Sequence, residues 1–114
     1  MIVGVVMDFL INSKDIAKLY SSSGNNGCFA SDKITKDGNK IGYMYREEPD
    51  ANFPDSGWRF FAGDESEDYT NNPNNFHIFD LNTICNYDPS IIEYLNAPYN
   101  TYWIRSSEGF ILDN

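Results

Sequence analysis

Histidine, cysteine and basic residues are scarce in this chain of 114 residues, and each shortage excludes a class of function. The two cysteines, Cys28 and Cys85, are far apart in the sequence and form no Cys-x-x-Cys pair, which excludes zinc-finger and thioredoxin-type sites. Both lie in apolar stretches, where a free cysteine is typically a small buried hydrophobic residue. Cysteines of this kind, with no disulfide framework, predict a protein of the cytoplasm.

Motifs of nucleophilic, metal-dependent and phosphate-binding enzymes are also missing. The sequence contains no G-x-S-x-G, no H-E-x-x-H and no P-loop. Its one histidine, His77, stands between Phe76 and Ile78, and no pattern places a carboxylate and a nucleophile beside it. We therefore predict a structural histidine, no catalytic residue and no bound cofactor or metal, so the protein is not expected to be an enzyme.

Basic residues are outnumbered by acidic ones: eight Lys and Arg stand against seventeen Asp and Glu, which gives a net charge of −9. Such a chain repels nucleic-acid phosphates and anionic lipid, so neither is an expected partner. A positively charged protein partner is favoured, because the negative field of this chain attracts basic protein surfaces. The apolar run over residues 1–11 is shorter than the roughly 20 residues that cross a bilayer and has no basic start, so it is interpreted as a core-facing segment.

The length fits one domain, and the pattern along it predicts an α+β fold. Residues 1–26 are expected to form an N-terminal strand and helix segment, with Ser13 capping a helix through Tyr20, and a loop of the same domain. Residues 27–114 are expected to form the main α+β unit. It is predicted to start with a hairpin of residues 28–36 and 40–46 around Gly38. Further strands are predicted over residues 58–62, 76–80, 101–105 and 110–112.

Short helices complete this prediction. Asp80 and Asp88-Pro89 are interpreted as helix starts, because Asp accepts hydrogen bonds from free backbone amides and Pro suits the first helical position. One acidic helical turn is expected over residues 64–69. The resulting fold class is α+β, a single compact domain with an antiparallel-leaning β-sheet and several short helices.

An acid-rich region between residues 47 and 68 is the most unusual feature. Three interpretations remain open: a solvated surface, a surface for a basic partner, or a metal-binding or catalytic cluster. In the partner interpretation, Tyr69 and Phe53 supply apolar neighbours near the centre of the interface. The candidate partner-binding residues are Glu47, Glu48, Asp50, Asp55, Asp64, Glu65, Glu67, Asp68 and Tyr69.

Two arginines and two tryptophans in the predicted strands have structural interpretations. Arg46 and Arg59 each stand beside aromatic residues and are expected to pair bidentately with a nearby carboxylate. Trp58 and Trp103 are expected in the core rather than on a ligand platform.

Three ordered motifs carry a resemblance to a known family. They are Tyr43-Met44-Tyr45-Arg46-Glu47-Glu48-Pro49, Asp55-Ser56-Gly57-Trp58-Arg59-Phe60-Phe61-Ala62-Gly63-Asp64-Glu65, and Asp80-Leu81-Asn82-Thr83-Ile84 with Asn86-Tyr87-Asp88-Pro89. The chain resembles the thirty-third immunity-protein family of bacterial polymorphic toxin systems, over about residues 27–112. The resemblance implies a cytoplasmic protein that binds one cognate toxin domain and blocks it. It brings no catalytic residues and no defined interface.

The functional prediction combines the resemblance with the charge. It is an immunity protein that neutralises a toxin, a basic nuclease domain fitting the charge sign, by occlusion with an acidic surface. Two other classes stay open: a cytoplasmic regulatory module that binds an unrelated protein, and a metal-dependent hydrolase that uses the acidic cluster.

Overall fold

A six-stranded mixed sheet organises the chain. The computed structural model describes residues 9–113, so the strand-like residues 2–6 lie outside the described part. The strands are β1 (Gly27–Ser31), β2 (Tyr43–Arg46), β3 (Asp55–Phe61), β4 (Phe76–Asp80), β5 (Thr101–Ser106) and β6 (Gly109–Leu112). Their order across the sheet is β4-β1-β3-β2-β5-β6, with β1 and β3 parallel and the other neighbouring pairs antiparallel. The predicted α+β class with a mostly antiparallel sheet is confirmed.

Short helices connect these strands, and side-chain caps fix where they begin. The α-helices are α1 (Asp32–Thr35), α2 (Glu67–Thr70) and α3 (Leu81–Tyr87), and 3₁₀ turns cover Ser13–Asp15, Pro73–Asn75 and Pro89–Tyr94. Asp80 accepts a hydrogen bond from the Asn82 amide at 3.0 Å, and Asp88 accepts one from the Ser90 amide at 3.2 Å. Both predicted helix starts are confirmed, although the second opens a 3₁₀ turn.

The core lies between helices α1 and α3 and one face of the sheet. Trp58 is fully buried, stacks on Phe60 at 5.8 Å and donates its indole N–H to the Leu95 carbonyl oxygen at 3.1 Å. The predicted core position of Trp58 is confirmed, and Trp103 packs partly buried against the same cluster. Cys28 and Cys85 are free and buried, as expected for small hydrophobic residues.

The predicted hairpin of residues 28–36 and 40–46 is wrong. β1 ends at Ser31, whose hydroxyl oxygen accepts a hydrogen bond from the Lys33 amide at 3.2 Å and caps α1. Gly38 has a φ of +81°, and its amide donates to the Ile34 carbonyl, so its conformational freedom ends a helix instead of closing a hairpin. β1 pairs with β3 and β4, whereas β2 pairs with β3 and β5.

The predicted helix from Ser13 through Tyr20 is also largely wrong. Only the 3₁₀ turn Ser13–Asp15 forms, and the following backbone is held by amide side chains of α3. The Asn82 Oδ1 atom accepts from the Leu19 and Tyr20 amides at 2.8 and 2.9 Å, while the Asn86 side chain binds both polar groups of the Ala17 backbone. These tertiary hydrogen bonds satisfy the backbone groups that a helix would otherwise pair internally.

Candidate partner-binding surface

The acidic residues predicted to bind a partner fall into two groups at opposite ends of β3. Seven residues of strand separate these ends by about 20 Å. The first acidic group, near the start of β3, consists of Glu47, Glu48 and Asp50. The second acidic group, just after its end, consists of Asp64, Glu65, Glu67 and Asp68. One contiguous acidic segment in the sequence therefore becomes two separate patches in space.

Asp55 belongs to neither group, because it is a buried structural residue. Only 1% of it is exposed, and it forms a bidentate ion pair with Arg59 through contacts of 2.9 and 2.7 Å. Its two oxygens also accept hydrogen bonds from the Gly57 amide at 2.9 Å and the Asp50 amide at 2.7 Å. Its predicted role as a partner contact is therefore wrong, since the folded protein leaves no exposed oxygen for a partner. The strand predicted over residues 58–62 accordingly begins three residues earlier, because β3 runs from Asp55 to Phe61.

The environment of Asp55 favours its charged form. Burial acts to raise its pKa, but the hydrogen bonds from Arg59 and from the Asp50 and Gly57 amides bring the pKa below its ordinary value of 3.8. The paired Arg59 has its pKa raised by hydrogen bonds to Asp55 and Glu47, against an opposing effect of burial. The carboxylate pairing predicted for Arg59 is confirmed.

The first acidic group remains at the surface. Glu47 receives the Arg59 Nε–H at 2.7 Å, yet 44% of its side chain is exposed. The Asp50 Oδ1 atom accepts from the Asn52 amide at 2.8 Å and stays exposed, and Glu48 is exposed beside them. Glu47 and Asp50 thus combine a fixed position with access to solvent.

The second acidic group is anchored at the far end of the same strand. Glu65 accepts hydrogen bonds from the Ala62 and Gly63 amides at 2.8 and 2.9 Å, so its carboxylate holds the turn that leaves β3. Asp64 is 75% exposed and pairs with Lys33 at 3.2 Å. Glu67 and Asp68 are exposed in the first turn of α2, where carboxylates favour the helix.

Between the two acidic groups lies the sheet face that points away from the core, here called the open face. Register places its side chains on one side: Tyr43 is opposite Phe61 and Ile104, and Tyr45 is opposite Arg59 and Tyr102. Intervening residues such as Met44 and Phe60 point into the core. The apolar members of the open face are Phe29, Tyr43, Tyr45, Phe61, Phe76, Ile78, Tyr102, Ile104 and Ile111.

Aromatic rings form a connected layer across this face. Tyr45 stacks on Phe61 with centroids 5.8 Å apart and lies 5.4 Å from Tyr102, while Phe61 meets Phe76 edge-on at 5.6 Å. Tyr69, a predicted partner-binding residue, is half-buried beside Phe76 at 5.9 Å. The layer joins the second acidic group, through Tyr69, to the centre of the sheet.

A considerable part of this layer is accessible to solvent. Tyr102 is 40% exposed, Ile104 43%, Ile78 53% and Ile111 54%. Burial and, secondly, the carboxylate of Asp113 raise the pKa of Tyr43, so a further acid lies near the edge of the face. The open face is thus an aromatic and aliphatic surface with carboxylates around it.

Sequence reasoning missed the open face as a surface, although a signal was present. Strands such as Tyr43-Met44-Tyr45 and Tyr102-Trp103-Ile104 are apolar at both alternating positions, a pattern typical of strands buried on both faces. In this fold the described helices α1 and α3 pack against the core side. Apolar residues on the second side therefore stay partly exposed.

His77 has a carboxylate partner that sequence reasoning did not identify. Its Nδ1 atom lies 2.8 Å from Asp32 Oδ1, and the Asp32 carboxylate also receives Lys36 at 3.6 Å. Phe9 packs edge-on against the imidazole with centroids 5.2 Å apart. The contact ties β4 to α1, which is consistent with the predicted structural role.

Arg46 differs from its prediction, because within residues 9–113 its guanidinium binds carbonyl oxygens and not a carboxylate. Its guanidinium donates to the carbonyls of Ser56 at 2.9 Å and Ala97 at 2.8 Å, and it lies 4.6 Å from the Tyr99 ring centroid. The arginine thereby fixes the connection between the Pro89–Tyr94 turn and β5 against the start of β3.

Two negative observations apply to residues 9–113. Their His, Cys, Asp and Glu side chains include no group of three or more that could hold a metal ion. Within the same residues, no helix is both long enough and apolar enough to cross a membrane.

Comparison with known proteins identifies a family. The model of the Immunity protein Imm33 domain matches residues 28–113, which is most of the chain and the whole sheet except Gly27. No curated protein and no solved structure matches the chain. Immunity proteins in general bind a toxin partner and are generally non-enzymatic. The three motifs, the fold that they build and this match together show that the chain belongs to the Imm33 immunity-protein family.

Proposed function

We propose that this protein binds one cognate toxin domain of a bacterial polymorphic toxin system and neutralises it by covering the surface with which the toxin works. The observation that carries the proposal is the family match over residues 28–113. The cytoplasm of the toxin-producing cell is the compartment in which such protection acts. The surplus of carboxylates supports a basic partner, and a nuclease domain with a phosphate-binding cleft is the chemistry that fits best.

Electrostatics supplies the mechanism of capture. A chain with a net charge of −9 attracts a basic domain at long range, and such steering raises association rates toward about 10⁸–10⁹ M⁻¹s⁻¹ at low salt. Fast capture matters because unbound toxin damages the cell that made it. Glu48, Glu67 and Asp68 are the carboxylates best placed to meet basic side chains, because they are exposed and no ion pair within residues 9–113 occupies them, whereas Asp64 pairs with Lys33.

The direct test is binding and rescue with the protein encoded immediately upstream of this gene. We expect the two purified proteins to form a complex and co-expression to restore growth of cells that make the toxin. An active toxin that neither binds this protein nor is neutralised by it would contradict the proposal and favour a regulatory module with another partner.

Charge reversal tests the acidic surface. We expect the double variant Glu48→Lys with Asp68→Lys to raise the Kd for the toxin by about 30-fold or more at low salt, because it places one cation in each acidic group. Both side chains are exposed, so the fold should persist. Titration calorimetry at 50 and 500 mM NaCl measures the effect, which should shrink at high salt because screening weakens exposed charges.

The matched control is Asp15→Lys with Glu93→Lys, which changes the net charge equally. Both control residues are exposed, and they lie in the 3₁₀ turns Ser13–Asp15 and Pro89–Tyr94, outside both acidic groups. For this control variant we expect a much smaller loss of affinity for the toxin. Equal losses in the two double variants would mean that only the total charge matters, and that the acidic groups are not contact sites.

A further inference from the structure

The open face has the composition of an interface centre. Protein interfaces bury an aromatic and apolar centre inside a polar rim, and Tyr, Trp and Arg carry most of the binding energy. Here the layer of Tyr43, Tyr45, Phe61 and Tyr102 lies between the two acidic groups. Strand spacing makes the sheet about 24 Å wide and β3 is about 20 Å long, so the face covers about 480 Å². This is somewhat more than half of the roughly 800 Å² that each partner gives to a standard interface, and the acidic groups at both ends of β3 add to it.

We infer that the open face is the centre of the toxin-binding interface, with the two acidic groups as its rim. This inference rests on the proposed function and assigns it a place on the molecule. The partner surface that fits is a basic one whose Lys and Arg side chains meet the carboxylates at both ends of β3. Their planar or aliphatic parts then lie over the tyrosine and phenylalanine rings, an arrangement that cation–π attraction stabilises.

Charge complementarity identifies the occupant as a basic protein and not as a second copy of this chain. Stacked sheets commonly pack with their strands aligned. Because both ends of β3 carry an acidic group, aligned packing of two copies sets carboxylates against carboxylates in either direction. Arg59, which also lies on this face, does not offset the repulsion between these carboxylates, because only 6% of it is exposed and its charge is already paired with Asp55 and Glu47. A basic partner meets attraction at both ends.

The face also contains a shallow groove suited to an inserted side chain. Thr70 and Pro73, from α2 and the turn after it, line this groove together with Phe29, Phe61 and Phe76. A second hollow, formed by Tyr43, Tyr45 and Phe61, reaches Glu65. A long cationic side chain can place its apolar stem on these rings and its charge near the Glu65 carboxylate.

The test removes exposed apolar groups from the face without changing charge. We expect Tyr102→Ala with Ile104→Ala to raise the Kd for the upstream-encoded toxin about 30-fold or more, as truncation of interface hot spots does. This factor should be the same at 50 and 500 mM NaCl, because contact between apolar groups is not screened. The control Leu10→Ala with Leu19→Ala removes side chains of 58% and 44% exposure from the N-terminal segment, and a change below about threefold is expected.

The outcomes separate this inference from the proposed function. If the unaltered protein binds the toxin and the Tyr102/Ile104 variant binds equally well, the inference is overturned while the proposed function stands. Failure of the unaltered protein to bind active toxin overturns both. Equal losses in the face variant and the Leu10/Leu19 control also overturn the inference. So does sedimentation showing a dimer of this chain that the face variant dissociates, because the occupant is then a second copy.

Circular dichroism and urea unfolding of each variant keep the comparison interpretable. The side chains replaced in the Tyr102/Ile104 variant are 40% and 43% exposed, and those replaced in the Leu10/Leu19 control are 58% and 44% exposed. Both double variants should therefore retain the native spectrum. Should the double variant unfold, Ile78→Ala with Ile111→Ala, on the two edge strands of the same face, repeats the test with side chains that are 53% and 54% exposed.

Discussion

Replacing Asp55 by Asn should lower the free energy of unfolding by about 3 kcal/mol or more. The substitution keeps the shape but turns one acceptor oxygen into a donor group. Each Asp55 oxygen faces two donors: Oδ1 meets Gly57 and Arg59, and Oδ2 meets Asp50 and Arg59. Either orientation of the amide therefore sets donor against donor and leaves Arg59 without its buried counter-ion. The total free energy of unfolding of a domain of this kind is about 5–15 kcal/mol, so a loss of this size is a large part of its stability.

Urea unfolding measures this loss, and we expect the midpoint to fall by about 2 M. The control is Glu48→Gln, an exposed carboxylate of the same region, for which a change within about 0.5 kcal/mol is expected. An Asp55→Asn protein as stable as the unaltered one would show that the buried ion pair contributes nothing, and would reopen Asp55 as a functional residue.

Acid sensitivity provides a second readout of the same pair. A carboxylate whose pKa is lower in the folded protein stabilises it fully above the ordinary value of 3.8, and this contribution is lost as the pH falls through the lowered folded value. The unaltered protein should thus lose stability below about pH 4. Asp55→Asn lacks this contribution at every pH, so the difference between the two proteins should narrow as the solution is acidified.

Replacing Asp88 by Asn should cost a similar amount, about 3 kcal/mol. Asp88 is 3% exposed and joins three parts of the chain. Its Oδ1 atom accepts from the Ser90 amide and hydroxyl, and its Oδ2 atom accepts from the Ile41 amide at 3.1 Å and pairs with Arg105. An amide nitrogen in place of Oδ2 loses both the charge opposite Arg105 and the acceptor for the Ile41 amide.

Asp80→Asn is the matched control, because Asp80 is also an aspartate that caps a helix. It is exposed and accepts one amide hydrogen bond, and Asn caps helices about as well as Asp. Thermal and urea unfolding should therefore show a change within about 0.5 kcal/mol for Asp80→Asn and a large loss for Asp88→Asn. Similar small effects in both variants would mean that Asp88 acts only as a cap.

Local signals in the sequence were sufficient for the second half of the fold. The bounds of β4 and the starts of α3 and the Pro89–Tyr94 turn follow from Asp and Pro at positions where a helix has unpaired backbone amides. The pair β5 and β6 follows from apolar runs separated by a short turn containing Gly109. These features depend on residues a few positions apart, so the sequence alone determines them.

Pairing between distant segments could not be predicted in this way. The Gly38 region has the composition of a hairpin turn, but the Ser31 cap starts a helix, and β1 finds its partners in β3 and β4. Likewise, the helical spacing after Ser13 is overridden by hydrogen bonds to Asn82 and Asn86, which are far along the chain. The local preference for a helix or a hairpin is overridden wherever long-range contacts of this kind satisfy the hydrogen-bonding groups of the backbone.

For the site, the sequence by itself determined the family, the charge sign and which residue types are available. The three motifs predicted the immunity-protein family that the match over residues 28–113 shows. The tertiary structure alone decided how the acids are distributed. It buried Asp55 against Arg59, separated the other carboxylates by the length of β3, and left the aromatic open face between them. The physical reason is that charge is a property of composition, whereas exposure and proximity depend on which strands pair and which side the helices cover.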